Sequence, residues 1–325
     1  MTKEFSFHSS LGRYIQGFIA EKQSMGYKYI LQSFLMQNFD SYWAECGYIS
    51  IHLTPESLDG WIKKRDQECK EHQFARISVV REFSRYLNGL GIESFIPPLD
   101  IRRTRPLVHI LSDEEILELF RQIDSYTPAL RDPMNIIISH EYPVLLRLIY
   151  CCGLRISEAC GLTVEQLNLN AGIITLLNAK GNKDRLIYLP DDLRQLCAEY
   201  VNMLYQNDIG RQIWLFPGRN PTNHVAKGTV CRMFNQCWKQ TSFAGTCDTS
   251  PTVHSLRHTF VVKRINLWMK QGLNMNMMMP YLSKHLGHKG IDETYYYYHY
   301  VEESARIIRE KDSLGKKVIP EVRRR

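Results

Sequence analysis

The stretch HLGHKGIDETYYYYHYV, residues 285–301, places four consecutive tyrosines, Tyr295 to Tyr298, just beyond a histidine-containing turn. On a helix successive side chains stand about 100° apart, so four tyrosines in a row point around the cylinder and at most one or two can meet the same ligand. Each ring also suits simple packing, because a buried aromatic removes a large apolar area from water and its hydroxyl needs only one partner. A phenol with an ordinary pKa of about 10 is a weak nucleophile unless something activates it. Whether one of these tyrosines does chemistry depends on the groups the chain brings beside it, and the fold follows from the same answer.

Several other segments carry residue types suited to phosphate. In CCGLRISEACGL, residues 151–162, Gly153 can close a helix in the left-handed conformation. Arg155 then stands at the start of the next helix, where a guanidinium fork and free backbone N–H groups can hold an anion together. Glu158, one turn later, can orient that guanidinium; by itself the pair describes an ordinary surface ion pair equally well. The segment AGIITLLNAKGNKDRLIYLP has two β-rich runs, Ile173–Leu177 and Leu186–Leu189, about a Lys-Gly-Asn-Lys turn, which predicts a β-hairpin. Lys180 beside that turn can reach into a nucleic-acid groove and protonate a leaving oxygen if neighbouring positive charge lowers its pKa, and Lys183 competes for the role.

In PTVHSLRHTF, residues 251–260, a helix places His254, Arg257 and His258 within about 100° of one another, with Val253, Leu256 and Phe260 on a separate apolar face. The two histidines have zinc-like spacing. Ser255, however, stands where the metalloprotease pattern needs glutamate, and the cation Arg257 lies beside the would-be ligands, so no metal and no cofactor is expected. His288 precedes Tyr297 by nine residues.

The chain has 325 residues, 44% hydrophobic and 23% charged, which suits a globular protein of two domains. A net charge of +7 is compatible with a polyanionic partner. The nine cysteines form no C-x-x-C pair, so reduced thiols rather than disulfides or a zinc ribbon are expected. The first residues lack an apolar signal core and no long apolar run occurs, so the expected location is the cytoplasm.

Residues 1–96 are expected to be helical, with apolar positions at Leu11, Tyr14, Ile15, Phe18 and Ile19 and again at Ile77, Val80, Phe83 and Leu87. Lys63, Lys64, Arg65, Arg76, Arg81 and Arg85 fall on positions expected to face solvent. Residues 97–110 read as a basic linker broken by Pro97, Pro98 and Pro106. A second domain, residues 111–325, opens with Ser112 as N-cap, Glu115 as its capping-box partner, and Leu111 with Ile116 as a hydrophobic staple. The methionine-rich run NMNMMMP is expected to fill core space.

In this order and spacing, GLRISEACGL, AKGNKDRLIYLP, HSLRHTF, HLGH and a terminal tyrosine resemble the tyrosine recombinase, or phage integrase, family over nearly the whole chain. The resemblance implies a mostly α fold with a small β-hairpin or sheet. A helical, SAM-like core-binding domain and a mixed α/β catalytic domain would together form a clamp around double-stranded DNA. It places the family's catalytic positions on Arg155, Lys180, His254, Arg257, His288 and Tyr297, with His299 completing a Tyr-x-His pattern; Tyr296 or Tyr298 is the nucleophile if the helix register differs. The long approach to LGH looks more like recombinases of transposons and other mobile elements. Under this resemblance the two arginines stabilise the extra charge on a pentacoordinate phosphate, Lys180 protonates the departing 5′ oxygen, His254 is a hydrogen-bond partner or base, and His288 contacts the scissile phosphate. The product would be a 3′-phosphotyrosyl enzyme, formed without metal or ATP. Partners implied are a homotetramer on two synapsed sites and a companion recombinase or accessory protein. The rival readings are a DNA-binding regulator without turnover, a type IB topoisomerase and a metal-dependent nuclease or transposase.

Overall fold

A computed structural model describes residues 5–101, 108–127, 133–179, 183–206, 213–220 and 222–301. The chain divides into two compact units, Met1–Pro106 and Leu107–Arg325, and the boundary falls inside the proline-broken segment 97–110.

The first unit is helical: α1 (Gly12–Ser24), α2 (Ile30–Glu45), α3 (Pro55–Ile62) and α4 (Lys70–Gly89). The three-and-four spacing of its apolar residues works out as expected. Leu11, Ile15, Phe18 and Ile19 of the first stretch share a core with Phe39, Trp43, Trp61, Val80, Phe83 and Leu87, while Tyr14 packs at its margin. Thr54 caps α3 and Pro55 opens it, a position where the missing N–H costs nothing.

Arg76 departs from the expectation of a solvent-facing residue: it is buried. Its Nε and Nη2 bond both carboxylate oxygens of Glu68 at 3.0 and 2.7 Å, and its guanidinium lies over the Trp61 ring. A guanidinium can occupy a core where a bidentate carboxylate neutralises it, and helical periodicity alone does not reveal such a partner. Lys63, Lys64, Arg65 and Arg85 are exposed, and Arg81 is half-buried.

The second unit begins with α5 (Asp113–Asp124), closed at its start by the reciprocal bonds between Ser112 and Glu115, with Leu111 and Ile116 buried. It continues through α6 (Pro133–Cys152) and the short α7 (Ile156–Cys160). The expected hairpin is two strands of a three-stranded antiparallel sheet, β1 (Leu167–Asn168), β2 (Ile173–Ala179) and β3 (Lys183–Tyr188). The two-residue β1, paired through Leu167 and Ile174, is too short to show a strand period in sequence. Next come α8 (Asp191–Gln206), α9 (Lys227–Trp238), α10 (Val253–Lys270), α11 (Met275–Leu286), α12 (Asp292–Tyr295) and a 3₁₀ turn, Tyr296–Tyr300.

One apolar core joins α5, α6, the sheet, α8 and α9. A second, smaller one joins α10, α11 and the tyrosine turn. The methionine run contributes Met279 to that core, but Met277 is 64% exposed: the segment is the amphipathic start of α11, not a core plug. The cysteines of the described residues are all free thiols. Among the described residues no helix is long and apolar enough to cross a membrane.

Candidate active site

Two glycines set the frame of the site. Gly153, which ends α6, has φ +66°, and Gly287, which ends α11, has φ +63°, both in the left-handed region that a side chain disfavours. Neither position has room for a side chain. A Cβ on Gly153 would lie 2.6 Å from the Phe260 ring, and one on Gly287 would lie 2.7 Å from Arg185 Nη1. The two sharp helix ends aim carbonyls at arginines. Gly153 O accepts a short bond from Arg257 Nη1, Leu286 O accepts from Arg257 Nη2 at 2.8 Å, and Gly287 O accepts from Arg155 Nη2 at 2.9 Å.

Arg155 is the N-cap residue of α7. Its backbone N–H and its Nη1 each donate to Glu158 at 2.8 Å, so the carboxylate orients the fork as the sequence suggests. Glu158 also receives both terminal nitrogens of Arg185, at 3.1 and 2.8 Å, and lies 4.0 Å from Arg257 Nη1. Burial disfavours the charged form of Glu158, but bonds from Arg185 and Arg155 outweigh it and hold the pKa below the usual carboxylate range. One carboxylate thus faces three guanidiniums, which leaves a net positive cup. Arg257 is 1% exposed, and burial, then the charge of Arg155, pulls its pKa down to about 10, so it stays protonated at neutral pH.

His254, Arg257 and His258 occupy adjoining positions on α10, and the two imidazoles meet edge to face at 4.3 Å. The imidazole that meets the tyrosine turn is His258, one helical turn beyond His254: its Nδ1 is 2.8 Å from the Tyr297 hydroxyl. Burial first, then His254, Arg257 and His288, push the pKa of His258 down to about 3, so it is a neutral imidazole. His254 is shifted downward too, by desolvation and by Arg257 and Arg155. His288 Nδ1 is 2.7 Å from Thr294 Oγ1, and its Nε2 is 3.3 Å from Arg257 Nη2. The His288 ring lies parallel to that of Tyr297, with centroids 6.5 Å apart.

The 3₁₀ turn separates the four tyrosines. Tyr297 points inward and is 4% exposed. Burial raises its pKa, while Arg257 and Arg155 oppose the rise. Tyr296 pairs its hydroxyl with that of Tyr300 at 2.9 Å, and Tyr295 and Tyr298 stack on each other at 5.6 Å. His299 lies beside Tyr296, its ring centroid 6.2 Å away.

Arg155, His254, Arg257, His288 and Tyr297 are therefore brought to one place, while Lys180 lies outside the described residues. Three contributors were not singled out from sequence: Arg185, the contact made by His258, and Thr294. Arg185 shares a strand face with the buried Ile187, opposite Leu176, so a charge at an inward-facing position was its available signal.

Residues 111–304 match the model of the phage integrase family. A putative integrase/recombinase of Sinorhizobium fredii is 25% identical over 256 residues, 76% of this chain and 79% of that protein. Tyrosine recombinase XerD of Brucella suis is 27% identical over 266 residues, 80% of this chain and 79% of that one. Among solved structures, the Tn1549 transposon integrase in complex with circular-intermediate DNA superposes with a TM-score of 0.58 at 18% identity, covering 92% of this chain and 99% of that one. The chain belongs to the phage integrase family, the tyrosine recombinases, which are site-specific DNA recombinases.

Proposed function

We propose that the chain is the recombinase of a mobile element, and that it cuts and rejoins double-stranded DNA through a phosphotyrosyl link to Tyr297. The observation that carries this reading is the Tyr297 hydroxyl held 2.8 Å from a neutral imidazole, His258, beside the buried Arg257.

The charge inventory supports each step. Arg155 and Arg257 present forks that are rigid because backbone carbonyls and Glu158 hold them. They would bind the non-bridging oxygens of one phosphodiester and stabilise the added negative charge as the fifth oxygen approaches. The negative charge of the bound phosphate would lift the His258 pKa from its low value in the free chain, and His258 then accepts the phenol proton as Tyr297 attacks the phosphorus and the bond to the 5′ oxygen breaks. The resemblance assigns the proton for that oxygen to Lys180. His288, oriented by Thr294, donates to the phosphate, and His254 lines the same cup. One phosphoester replaces another, so the step needs no ATP, and a 5′ hydroxyl from a second duplex reverses it to complete exchange. Strand exchange between two sites calls for four protomers. Its origin in a mobile element draws support from the likeness to a transposon integrase and from the long segment before LGH.

The test is incubation of the purified chain, in chelator, with a duplex carrying the element's ends and a nick that traps cleavage. The expected result is a covalent DNA–protein adduct that maps to Tyr297 by mass spectrometry. DNA binding without an adduct would favour the regulator reading.

A further inference from the structure

His109, Glu115 and Cys247 lie together in the second unit, in addition to the residues assigned to the chemistry. Their ligand atoms form a small triangle: Nε2 of His109 to Oε1 of Glu115 is 2.9 Å, Sγ of Cys247 to that oxygen is 3.5 Å, and Sγ to Nε2 is 3.8 Å. All of these atoms fall within 4.8 Å of one another. A tetrahedral zinc ion at ordinary bond lengths, about 2.0 Å to nitrogen or oxygen and about 2.3 Å to sulfur, requires separations of about 3.3 Å between nitrogen and oxygen and about 3.5 Å from each of them to sulfur. We propose that these three side chains bind one zinc ion, with a water molecule in the fourth position.

The surroundings are those of a built site rather than a chance encounter. The second oxygen of Glu115 accepts the Ser112 N–H at 2.8 Å and lies 3.0 Å from His109 Nε2, and the Ser112 bond holds the carboxylate with Oε1 facing both His109 and Cys247. The loop that carries Cys247 is tied to α5 by Ser242, whose N–H and hydroxyl each donate to Glu118 at 2.6 Å. His109 is braced against Trp238, with ring centroids 6.2 Å apart. Glu115 is buried and the other two residues are half-buried, so an ion can enter yet remain partly desolvated. Binding would displace two protons now directed at Glu115, that of the Cys247 thiol and that on His109 Nε2, leaving the imidazole protonated on Nδ1. The thiolate and carboxylate together would then balance the two positive charges of the ion.

The position gives the ion a structural task. The Val108 N–H donates to the Tyr300 hydroxyl at 3.4 Å, and the Leu111 N–H donates to Thr259 Oγ1 at 3.0 Å. Residues 108–111 therefore touch both the turn that carries Tyr297 and the helix that carries His258. Zinc at His109 would pin this segment to the loop preceding α10 without touching the reacting atoms.

The inference does not rest on the recombinase reading. The full chain, stripped with chelator and dialysed, is titrated with cobalt(II) and then with zinc. The expected result is one equivalent of cobalt with a thiolate-to-metal charge-transfer band, displaced by zinc, and a higher Tm with zinc. Cys247→Ser and His109→Ala, each checked for an unchanged metal-free Tm, should lose the band and bind zinc at least about tenfold more weakly. A cobalt complex of the unaltered chain without the thiolate band would overturn the proposal. So would zinc affinity undiminished in both variants, which would place the ion elsewhere, for instance on His254 and His258. Adduct formation at Tyr297 is expected to persist in chelator below the metal-free Tm, so failure of one proposal is distinguishable from failure of the other.

Discussion

Tyr297 and His258 are joined hydroxyl to imidazole at 2.8 Å, and the imidazole is held neutral by burial and by the surrounding positive charge. A neutral ring can take a proton, whereas an imidazolium in the same place could only donate one. Replacing His258 with alanine is expected to slow adduct formation about 100-fold at neutral pH, the scale of a lost general base. Raising the pH should recover part of that loss, because a more basic solvent removes the phenol proton directly. Single-turnover cleavage of a nicked duplex between pH 6 and 9 measures it. Equal rates for variant and parent across that range would mean the contact only stores the tyrosine.

The four tyrosines make a sharper test of register. Tyr297→Phe should abolish the adduct, at least about 10⁴-fold, since no other oxygen occupies its place. Tyr296→Phe and Tyr298→Phe should each keep activity within about tenfold, because one pairs with Tyr300 and the other stacks on Tyr295. Mass spectrometry of the trapped adduct decides, and a phosphotyrosine at 296 or 298 would reassign the nucleophile.

Much of the fold was legible because local rules and burial agree. The Ser112 capping box, the helix end at Gly153 and the apolar stripe of α4 each follow from side-chain chemistry within a few residues. The site was legible only where its residues lie in short motifs. Arg185 is not legible because its partner Glu158 is 27 positions away in sequence, and a single charge on a strand face looks the same whether paired or not. Helical periodicity puts Arg76 in solvent for the same reason, although its guanidinium is matched by Glu68 across the turn between α3 and α4. The 3₁₀ turn was also hidden. A run of identical residues has no hydrophobic period, so only the packing of Tyr297 beneath α10 fixes which ring points inward.

Glu158 holds Arg155 and Arg185 together and is about one-tenth exposed, so Glu158→Gln leaves three guanidiniums without their counter-charge. Removing one partner of such a group costs about 3 kcal/mol of stability. DNA affinity should be kept or slightly raised, because the surface gains positive charge, while the cleavage rate falls about 100-fold as Arg155 loses its fixed orientation. Urea denaturation, filter binding and cleavage measured on one preparation separate the three effects. Loss of DNA binding in parallel with cleavage would refute the positioning role.

Gly153→Ala tests the backbone. The left-handed φ of +66° alone costs a side chain about 1 kcal/mol, and the Cβ would press on Phe260 at 2.6 Å within the core below Tyr297. A total loss of about 2–3 kcal/mol is expected. Because the Gly153 carbonyl anchors Arg257, cleavage should drop further than the folded fraction does. Thermal melts compared with adduct yield at a temperature where both proteins are folded provide the check.

Acid should weaken the fold earlier than its carboxylates alone would dictate. His258 has a folded pKa of about 3, below the value of about 6.5 it regains on unfolding, so below that value the unfolded chain binds a proton that the folded one does not. Its contribution is fully present above about pH 6.5 and is lost progressively as the pH falls toward 3. His254 and His285, both shifted downward chiefly by burial, act in the same direction. Glu68, held at about 2 chiefly by its bond to Arg76, adds a second limb: its contribution is present above about pH 4.5 and is lost as the pH falls through 2. Stability measured by urea should therefore begin to decline near pH 6.5 and steepen below about 4.5. His258→Gln should flatten the upper limb and leave the lower one, whereas Glu68→Gln should lower stability at neutral pH by about 3 kcal/mol and flatten the lower limb. Because burial raises the Glu141 pKa and so works against the histidines over part of this range, the deciding comparison is between chains: if His258→Gln loses stability from pH 7 to pH 5 as steeply as the unaltered chain, the basis for a neutral His258 beside Tyr297 is removed.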